Sequence, residues 1–209
     1  MKRRRASNSF RLALAPVLVL CLLAANLRAG AQAKTDTADK REGPSPAADF
    51  SLTDQDGRPF RLSQLRGKVA LLFFGYTSCP DACPTTLSKL SRVYKMLGAE
   101  GGRVVTIFVS VDPKRDTPRA LKEYLKYFRI NSVGLTGTKE EIDSVVGQYG
   151  AKYEIEQSDS AAGYHINHST DLYLIDRRGE LAHTFAYKDQ AKPIADEVMK
   201  ALSRRLPPG

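Results

Sequence analysis

A continuous apolar run followed directly by two cysteines constrains the fold more than any other feature of the chain. The run 69–74 has no polar residue, which is typical of a strand buried on both faces of a sheet. Cys79 and Cys83 come next, four residues apart, and Pro84 follows them. Because proline is favoured in the first turn of a helix, Cys83 is predicted to cap or enter a helix, with Cys79 on the preceding loop. The sequence therefore predicts a thiol pair where a buried strand passes into a helix.

Strands and helices alternate along the rest of the chain. Apolar residues recur at helical spacing from Pro84 to Leu97, and the run 104–109 is predicted to be a second buried strand. Other predicted elements are an N-terminal hairpin turning at Asp56-Gly57, helices starting near Asp116 and at the Thr138–Glu141 capping box, short strands at 133–135 and 153–157, a hairpin turning at 176–179 and a helix at 190–204. This order predicts an α/β domain with a thioredoxin-like fold, a central mixed sheet flanked by helices and an N-terminal β-hairpin.

Residues 1–31 have the order of an export signal. A basic stretch precedes the short apolar run 12–25, and small residues follow it. We therefore expect a signal peptide or N-terminal membrane anchor over 1–31, a flexible polar linker over 32–48 and one domain over 49–209. Positive charge before the apolar run keeps the N-terminus inside. The domain is thus expected in the periplasm, either free or anchored to the inner membrane.

The formal net charge of +9 belongs mainly to this leader. Residues 1–31 contain six of the 32 lysines and arginines and none of the 23 acidic residues, so the remainder has a net charge of +3. Charges of both signs are interspersed there, which argues against a nucleic-acid partner. The leader also contains Cys21, but Leu20 stands where a lipoprotein signal would have a small residue. Cys79 and Cys83 are therefore the two thiols of the exported part.

The cysteine pair has a structural and a functional interpretation. A plain disulfide would close a loop of only a few residues, and loop closure stabilises least for short loops. As metal ligands the thiols would need partners, and the chain has three histidines, His165, His168 and His183. Structural zinc normally has four protein ligands and an iron–sulfur cluster four thiolates, whereas two thiolates and one imidazole suffice for Cu(I). The pattern favours Cu(I), and oxidation to a Cys79–Cys83 disulfide would remove both thiolates.

The position of each histidine indicates which one is expected near the thiols. His183 alternates with apolar residues of a strand and is expected in the core or at a strand edge. His165 and His168 are expected in a loop before the strand 170–175. Thioredoxin-like proteins usually have a cis-proline just before this strand, facing the cysteines, and this chain has His168 there. His168 is therefore favoured as the third ligand.

Four stretches of the sequence together resemble the SCO/SenC family of copper chaperones. They occur in the family's order at 74–87, 109–118, 134–137 and 164–169. The resemblance implies a thioredoxin-like fold that binds copper, as Cu(I) or alternatively Cu(II), through Cys79, Cys83 and His168. It also implies a role in loading the copper A centre of cytochrome c oxidase subunit II, by donating metal, by reducing its cysteines, or both.

Further details of these stretches bear on the site. The family commonly has Asp before the histidine of the last stretch, and this chain has Asn167. If the carboxylate orients or charges the imidazole, the amide keeps the hydrogen bonding and loses the charge.

Asp112 and Asp116 are expected to fix a turn and cap the following helix rather than to bind metal. The polar stretch 156–163 is expected to be mobile, so that His168 can leave the metal.

Two alternatives use the same cysteines without metal. A periplasmic thiol-disulfide oxidoreductase would use Cys79 and Cys83 together with a thiol reductant, but their spacing has one residue more than C-x-x-C. A peroxidase of the peroxiredoxin kind would have Thr or Ser three residues before the nucleophile and Pro four before that, where this chain has Tyr76 and Leu72. We expect a metal-handling protein rather than an enzyme, with thiol-disulfide reductase activity as the alternative.

Overall fold

The computed structural model describes residues 45–158 and 163–204. The predicted leader and the first part of the predicted linker lie outside these ranges. Within them, no helix combines the length and the apolar character that crossing a membrane requires. The division of the chain into leader, linker and domain therefore stays a prediction.

Eight strands of the described chain form one mixed sheet. In the order in which they lie side by side, they are β1 (Ser45–Pro46), β10 (Glu180–Phe185), β9 (Leu172–Ile175), β4 (Val69–Gly75), β5 (Val104–Ser110), β6 (Ser132–Thr136), β2 (Ser51–Asp54) and β3 (Pro59–Arg61). β5 is parallel to β4 and to β6, and the other neighbours are antiparallel. The mixed sheet and the N-terminal hairpin of β2 and β3 confirm the predicted fold class. β1 pairs with β10, so strand pairing begins inside the stretch predicted as linker.

Four α-helices of the described chain cover the two faces of this sheet. They are α1 (Ala82–Leu97), α2 (Pro118–Leu125), α3 (Lys139–Gln148) and α4 (Ala191–Ser203), with short 3-10 turns at Leu62–Leu65, Gly98–Arg103 and Lys126–Phe128. One core contains Leu71 and Phe73 of β4 with the apolar sides of α1, α2 and α4. The other contains Leu72 and Phe74 with α3 and the β2–β3 hairpin. β4 is therefore buried on both faces, as its apolar run predicts.

The starts of two helices test the predicted capping residues. Thr138 and Glu141 form the predicted capping box at the start of α3. At α2, Thr117 is the N-cap residue, because its side chain accepts a hydrogen bond from the backbone amide three residues on. The prediction that Asp116 caps this helix is wrong. The Thr117 hydroxyl occupies the capping position. The Asp116 carboxylate instead accepts hydrogen bonds from Thr77 and Ser110.

A separate two-stranded antiparallel sheet consists of β7 (Tyr153–Gln157) and β8 (Tyr164–His168). Tyr153 and His168 are partners in its register. β7 confirms a predicted strand, but the expectation that His165 and His168 lie in a loop is wrong. The sequence pattern does not indicate β8 as a strand, because its exposed residues His165 and Asn167 and its last residue His168 are all polar. The connection 159–162 lies outside the described residues, so the expected mobility of 156–163 stays a prediction.

The C-terminal hairpin of β9 and β10 contains a bulge. Leu181 pairs with Ile175 and His183 with Leu174, so the register shifts between Leu181 and His183. In the described chain β1 pairs only with the first two residues of β10, which makes β10 the outer strand at His183. His183 is exposed there. Of the two positions expected for this histidine, core and strand edge, the structure shows the edge.

Candidate metal centre

The two cysteines lie where β4 gives way to α1. Cys79 is on the connecting loop, and its backbone amide donates to the carbonyl of Tyr76, 3.1 Å away. Cys83 is in the first turn of α1 with only 1% of its surface exposed, whereas Cys79 is partly exposed. Both cysteines are free thiols. This is the strand-to-helix placement that the sequence predicts.

Gly75, the last residue of β4, makes room for Cys83. A Cβ atom on Gly75 would lie 2.4 Å from Cys83 Sγ and 2.9 Å from the ring of Phe108. A side chain here would have to displace both the sulfur and the core ring. The backbone of Gly75 is not in the left-handed region. The need for glycine therefore comes from the close approach of the Cys83 sulfur and the Phe108 ring.

His168 ends β8 and brings an imidazole to the two sulfurs. Its Nε2 atom lies 3.8 Å from Cys79 Sγ and 3.6 Å from Cys83 Sγ. Its Nδ1 atom donates to the carbonyl of Ser169, 2.9 Å away. Because this hydrogen bond places a proton on Nδ1, the lone pair of the neutral ring is on Nε2, which faces the thiols. The three potential ligand atoms all lie within 4.8 Å of one another.

Their surroundings shift the acidity of the two thiols in opposite directions. A hydrogen bond from the Cys83 thiol lowers the pKa of Cys79, and burial opposes this shift. Bonds from the protonated form of the His168 ring and from backbone amides at the start of α1 reinforce it. The pKa of Cys83 is raised because its thiol bonds to Cys79 and because it is buried. Burial works against protonation of His168, but bonds to Cys79 and to the Ser169 carbonyl raise its pKa. The arrangement favours a thiolate at Cys79 and a thiol at Cys83.

The structure does not bring His165 or Asn167 to the thiols. Both are exposed on the outer side of β8. His165 Nε2 lies 2.9 Å from one carboxylate oxygen of Glu156, and the Asn167 amide donates to the other oxygen at 2.5 Å. Neighbouring residues of a strand point to opposite faces, so Asn167 is directed away from the His168 imidazole. Asn167 therefore pairs across the hairpin and does not orient that ring.

Tyr76 holds the histidine strand against the cysteine loop. Its ring is buried and meets the His168 ring edge-on, with the centroids 5.7 Å apart and the planes at 84°. Its hydroxyl accepts a hydrogen bond from the amide of Ile166 at 3.2 Å. Tyr76 thus contacts both the imidazole and the strand that carries it. Sequence reasoning missed this role, although the residue stands only three positions before Cys79.

Asp116 anchors the start of the cysteine loop. It is fully buried, and its carboxylate accepts hydrogen bonds from the Thr77 amide (2.9 Å), the Thr77 hydroxyl (2.6 Å) and the Ser110 hydroxyl (2.7 Å). Burial raises the pKa of Asp116, and these hydrogen bonds oppose the shift. Asp116 is not part of the cluster of potential ligands. It positions Thr77, two residues before Cys79.

Asp112, Arg115 and Tyr164 tie the histidine hairpin to the loop after β5. The Arg115 guanidinium donates through Nε to the Asp112 carboxylate and through Nη1 to the Tyr164 carbonyl, the latter at 3.1 Å. The Tyr164 hydroxyl donates to the same carboxylate at 2.8 Å. The Asp112 carbonyl accepts hydrogen bonds from the amides of Arg115 and Asp116. Asp112 therefore fixes the predicted turn, and its side chain also holds the hairpin.

Known proteins resemble this chain over most of its length. A family model described as SCO1/SenC matches residues 38–203 of the chain. The chain belongs to the SCO1/SenC family. The match includes both the cysteine loop and the histidine strand. An SCO2-like protein of Rickettsia felis is 38% identical over 149 residues, which cover 71% of this chain and 73% of that protein.

Solved structures of the family have the same fold. ScoI of Bradyrhizobium japonicum, whose structure has copper bound, is 37% identical with a TM-score of 0.69, and the match covers 76% of this chain and all of that one (100%). BsSco, a member of the Sco family of cytochrome c oxidase assembly proteins in which a disulfide switch was identified, is 25% identical with a TM-score of 0.62, covering 78% of this chain and 96% of that one. These likenesses confirm the predicted thioredoxin-like fold.

Proposed function

We propose that this chain is a copper chaperone that holds Cu(I) between Cys79 Sγ, Cys83 Sγ and His168 Nε2. The observation that carries the proposal is the convergence of these three atoms within 4.8 Å. Among the described residues they are the one group of three or more His, Cys, Asp or Glu side chains placed to hold an ion. Membership of the SCO1/SenC family and the copper-bound structure of one relative support copper as the metal.

The donor set fits Cu(I) in both chemistry and spacing. Thiolates are soft ligands that select Cu(I), whereas Cu(II), the alternative form of the cargo, prefers harder nitrogen and oxygen ligands. Bonds of about 2.3 Å to sulfur and about 2.0 Å to nitrogen, as zinc makes, would place sulfur and nitrogen of a trigonal site about 3.7 Å apart. The two Sγ to Nε2 distances of 3.8 and 3.6 Å match this spacing.

The unequal exposure of the ligands indicates how the ion would leave. Cys83 is buried, whereas Cys79 and His168 are partly exposed. An acceptor thiolate would approach from the exposed side and replace His168 and Cys79 before Cys83. We propose the copper A site of cytochrome c oxidase subunit II as the acceptor. The description of BsSco as a member of a family of cytochrome c oxidase assembly proteins supports this choice.

Export of the domain is part of the proposal. Residues 1–31 would act as a cleaved signal peptide or as an inner-membrane anchor, 32–48 as the linker, and 49–209 as the copper-binding domain in the periplasm. The basic stretch followed by an apolar run supports export. N-terminal sequencing of the protein recovered from periplasmic and membrane fractions distinguishes cleavage from retention.

Anaerobic titration of the purified protein with Cu(I) against a competing chelator tests the ligand set. We expect one equivalent to bind, with two sulfurs and one nitrogen around the metal in X-ray absorption. His168→Ala should lower the affinity by more than about 100-fold, the upper end of what changes outside the first coordination shell cost. His165→Ala is the matched control, because it removes an exposed imidazole from the same strand, and it should leave the affinity unchanged. Equal affinity in wild type and His168→Ala would refute the ligand set.

A second function, thiol-disulfide exchange, is favoured by the opposite pKa shifts of Cys79 and Cys83. The Cys79 thiolate would attack one sulfur of an acceptor disulfide, forming a mixed disulfide and releasing the other sulfur as a thiolate. Cys83 would then give its proton to the released acceptor thiolate and attack Cys79 Sγ, which breaks the mixed disulfide, frees the second acceptor sulfur as a thiolate and forms a Cys79–Cys83 disulfide. A periplasmic thiol reductant would restore the pair. The disulfide switch identified in BsSco supports this candidate.

His168 separates the two candidate functions. Complete reduction of an acceptor disulfide requires both cysteines and no metal. Under metal-free conditions it should therefore survive His168→Ala, be lost in Cys79→Ser and stop at the mixed disulfide, with one acceptor thiol released, in Cys83→Ser. Labelling of the released acceptor thiols measures the reaction. Reduction that persisted in Cys79→Ser would argue against exchange at this site.

A further inference from the structure

We propose that Arg115 is a positioning residue for His168 and that it acts through Tyr76 and Tyr164. The proposal rests on the copper site proposed above, because positioning matters only if the imidazole is a ligand. Arg115 is not one of the three clustered ligand residues. It contacts the two aromatic rings that hold the histidine strand in place.

The guanidinium of Arg115 lies over both rings. Its Cζ atom is 3.7 Å from the centroid of the Tyr164 ring and 5.6 Å from that of the Tyr76 ring. Both distances are within the range of cation–π attraction, which strengthens when the cation is desolvated. The Arg115 side chain is only 23% exposed. The contact with the two rings is therefore mostly shielded from water.

Hydrogen bonds fix the orientation of this guanidinium. Its Nε atom donates to the carboxylate of Asp112, whose side chain is 3% exposed, and its Nη1 atom donates to the carbonyl of Tyr164. One side chain thus binds the loop after β5 and the backbone of β8 while it stacks on an aromatic ring. The planar fork of arginine can do all three at once, whereas the single ammonium of lysine cannot.

The two tyrosines connect this guanidinium with the imidazole. Tyr164 begins β8 and His168 ends it. Between them, the amide of Ile166 donates to the Tyr76 hydroxyl, and the Tyr76 ring meets the His168 ring. Without the fork of Arg115, β8 would lose its bond at Tyr164 and the Tyr76 ring would lose one of its packing partners. Nε2 would then drift from the sulfurs, whereas metal–ligand distances in well-formed sites stay within about 0.2 Å of their usual values.

Substitutions that separate geometry from charge test the proposal. Arg115→Met keeps an apolar stem but removes both the positive charge and the planar guanidinium with its hydrogen-bond donors. Arg115→Lys keeps the charge and removes the planar guanidinium. Both should weaken Cu(I) affinity by about tenfold, the lower end of what outer-shell changes cost. Arg119→Met, which removes an exposed arginine from α2, is the control and should bind as the wild type does. Wild-type affinity in Arg115→Lys would overturn the assigned role of the fork.

A double-mutant cycle tests whether Arg115 acts through His168. In the His168→Ala background, Arg115→Met should cause no further loss of affinity, because the imidazole that it positions is already absent. A loss of equal size in both backgrounds would show that Arg115 acts on the cysteines or on the fold in general. That result would overturn the proposal.

Hydrogen exchange in the metal-free protein gives a readout that does not depend on copper. The Ile166 amide should exchange about tenfold faster in Arg115→Met and Arg115→Lys, while the amides of β5 keep their wild-type rates. Unchanged exchange at Ile166, or equal acceleration throughout the protein, would overturn positioning. Failure of the wild type itself to bind Cu(I) would instead refute the proposed function, and the exchange experiment would still test the contact.

Discussion

The sulfur of Cys83 lies where a side chain of Gly75 would be, since a Cβ atom there would be 2.4 Å from Sγ. Gly75→Ala should therefore push Cys83 away from the end of β4. Overpacking a core typically costs about 1–3 kcal/mol, and we expect the free energy of unfolding to fall by this amount. Cu(I) affinity should fall as well, because one ligand is displaced. Denaturant unfolding and Cu(I) titration measure the two effects.

Gly147→Ala is the matched control for this substitution. Gly147 is exposed inside α3, and outside its chain neighbours and the backbone of its own helix no heavy atom lies within 4 Å of the position that its Cβ would take. Alanine is the better helix former, so this change should raise the free energy of unfolding by about 0.5–1 kcal/mol. Copper affinity should not change. If Gly75→Ala bound Cu(I) as tightly as Gly147→Ala does, the close approach at Gly75 would not constrain the site.

Removing the Asp116 carboxylate should loosen the cysteine loop. Asp116→Ala leaves the Thr77 amide, the Thr77 hydroxyl and the Ser110 hydroxyl without their acceptor. We expect a loss of about 3 kcal/mol in the free energy of unfolding. Asp116→Asn should cost less, because its amide oxygen can accept from two of these donors while its nitrogen donates to the Thr77 hydroxyl. Urea unfolding measures the free energy of unfolding of both variants. Equal losses in Asp116→Ala and Asp116→Asn would show that the hydrogen bonds to Asp116 do not stabilise the loop.

The same carboxylate should make stability depend on pH. Burial raises the pKa of Asp116 above its ordinary value of about 4. At a pH between the ordinary pKa of the unfolded state and the raised pKa of the folded state, the folded protein binds more protons than the unfolded protein. The free energy of unfolding therefore falls as the pH rises through this window. The stability of the wild type relative to Asp116→Asn should therefore decrease through this window and then level off. An increase with pH, measured by denaturant unfolding, would show that the carboxylate is not destabilised by burial.

Features that depend on neighbours in the chain could be predicted from the sequence. The apolar run 69–74 indicates a strand buried on both faces, and the spacing after Cys83 indicates the helix that presents its thiol. The Thr138–Glu141 capping box is likewise a pattern of residues three apart. Local patterns are therefore enough to place Cys79 on the loop and Cys83 on the helix where the structure has them.

Features that depend on distant partners could not be predicted in this way. Thr77 and Asp116 are 39 residues apart, and Arg115 and Tyr164 are 49 apart, so no local pattern indicates these bonds. β8 resembled a loop because its strand character depends on pairing with β7 and on the bond from Ile166 to Tyr76. His168 is indicated as the third ligand by its position before β9, because no periodicity of the sequence marks it.

The unequal acidity of Cys79 and Cys83 predicts selective labelling of the metal-free, reduced protein. The pKa of Cys79 is lowered and that of Cys83 is raised. The thiolate is the reactive form, so at about pH 6, well below the usual thiol pKa of about 8.5, iodoacetamide should modify Cys79 and leave Cys83 unmodified. The greater exposure of Cys79 acts in the same direction. Mass spectrometry of the labelled peptides identifies the modified residue.

Copper and the two nearby histidines test the cause of this selectivity. Bound Cu(I) should protect Cys79, because the metal occupies the sulfur that would attack the reagent. His168→Ala should slow the labelling at the same pH, since the bond from His168 is one of the interactions that lower the pKa of Cys79. His165→Ala should have no effect, because its imidazole lies on the other side of β8 against Glu156. Faster labelling of Cys83 than of Cys79 would reverse the proposed order of acidity and make Cys83 the attacking thiol.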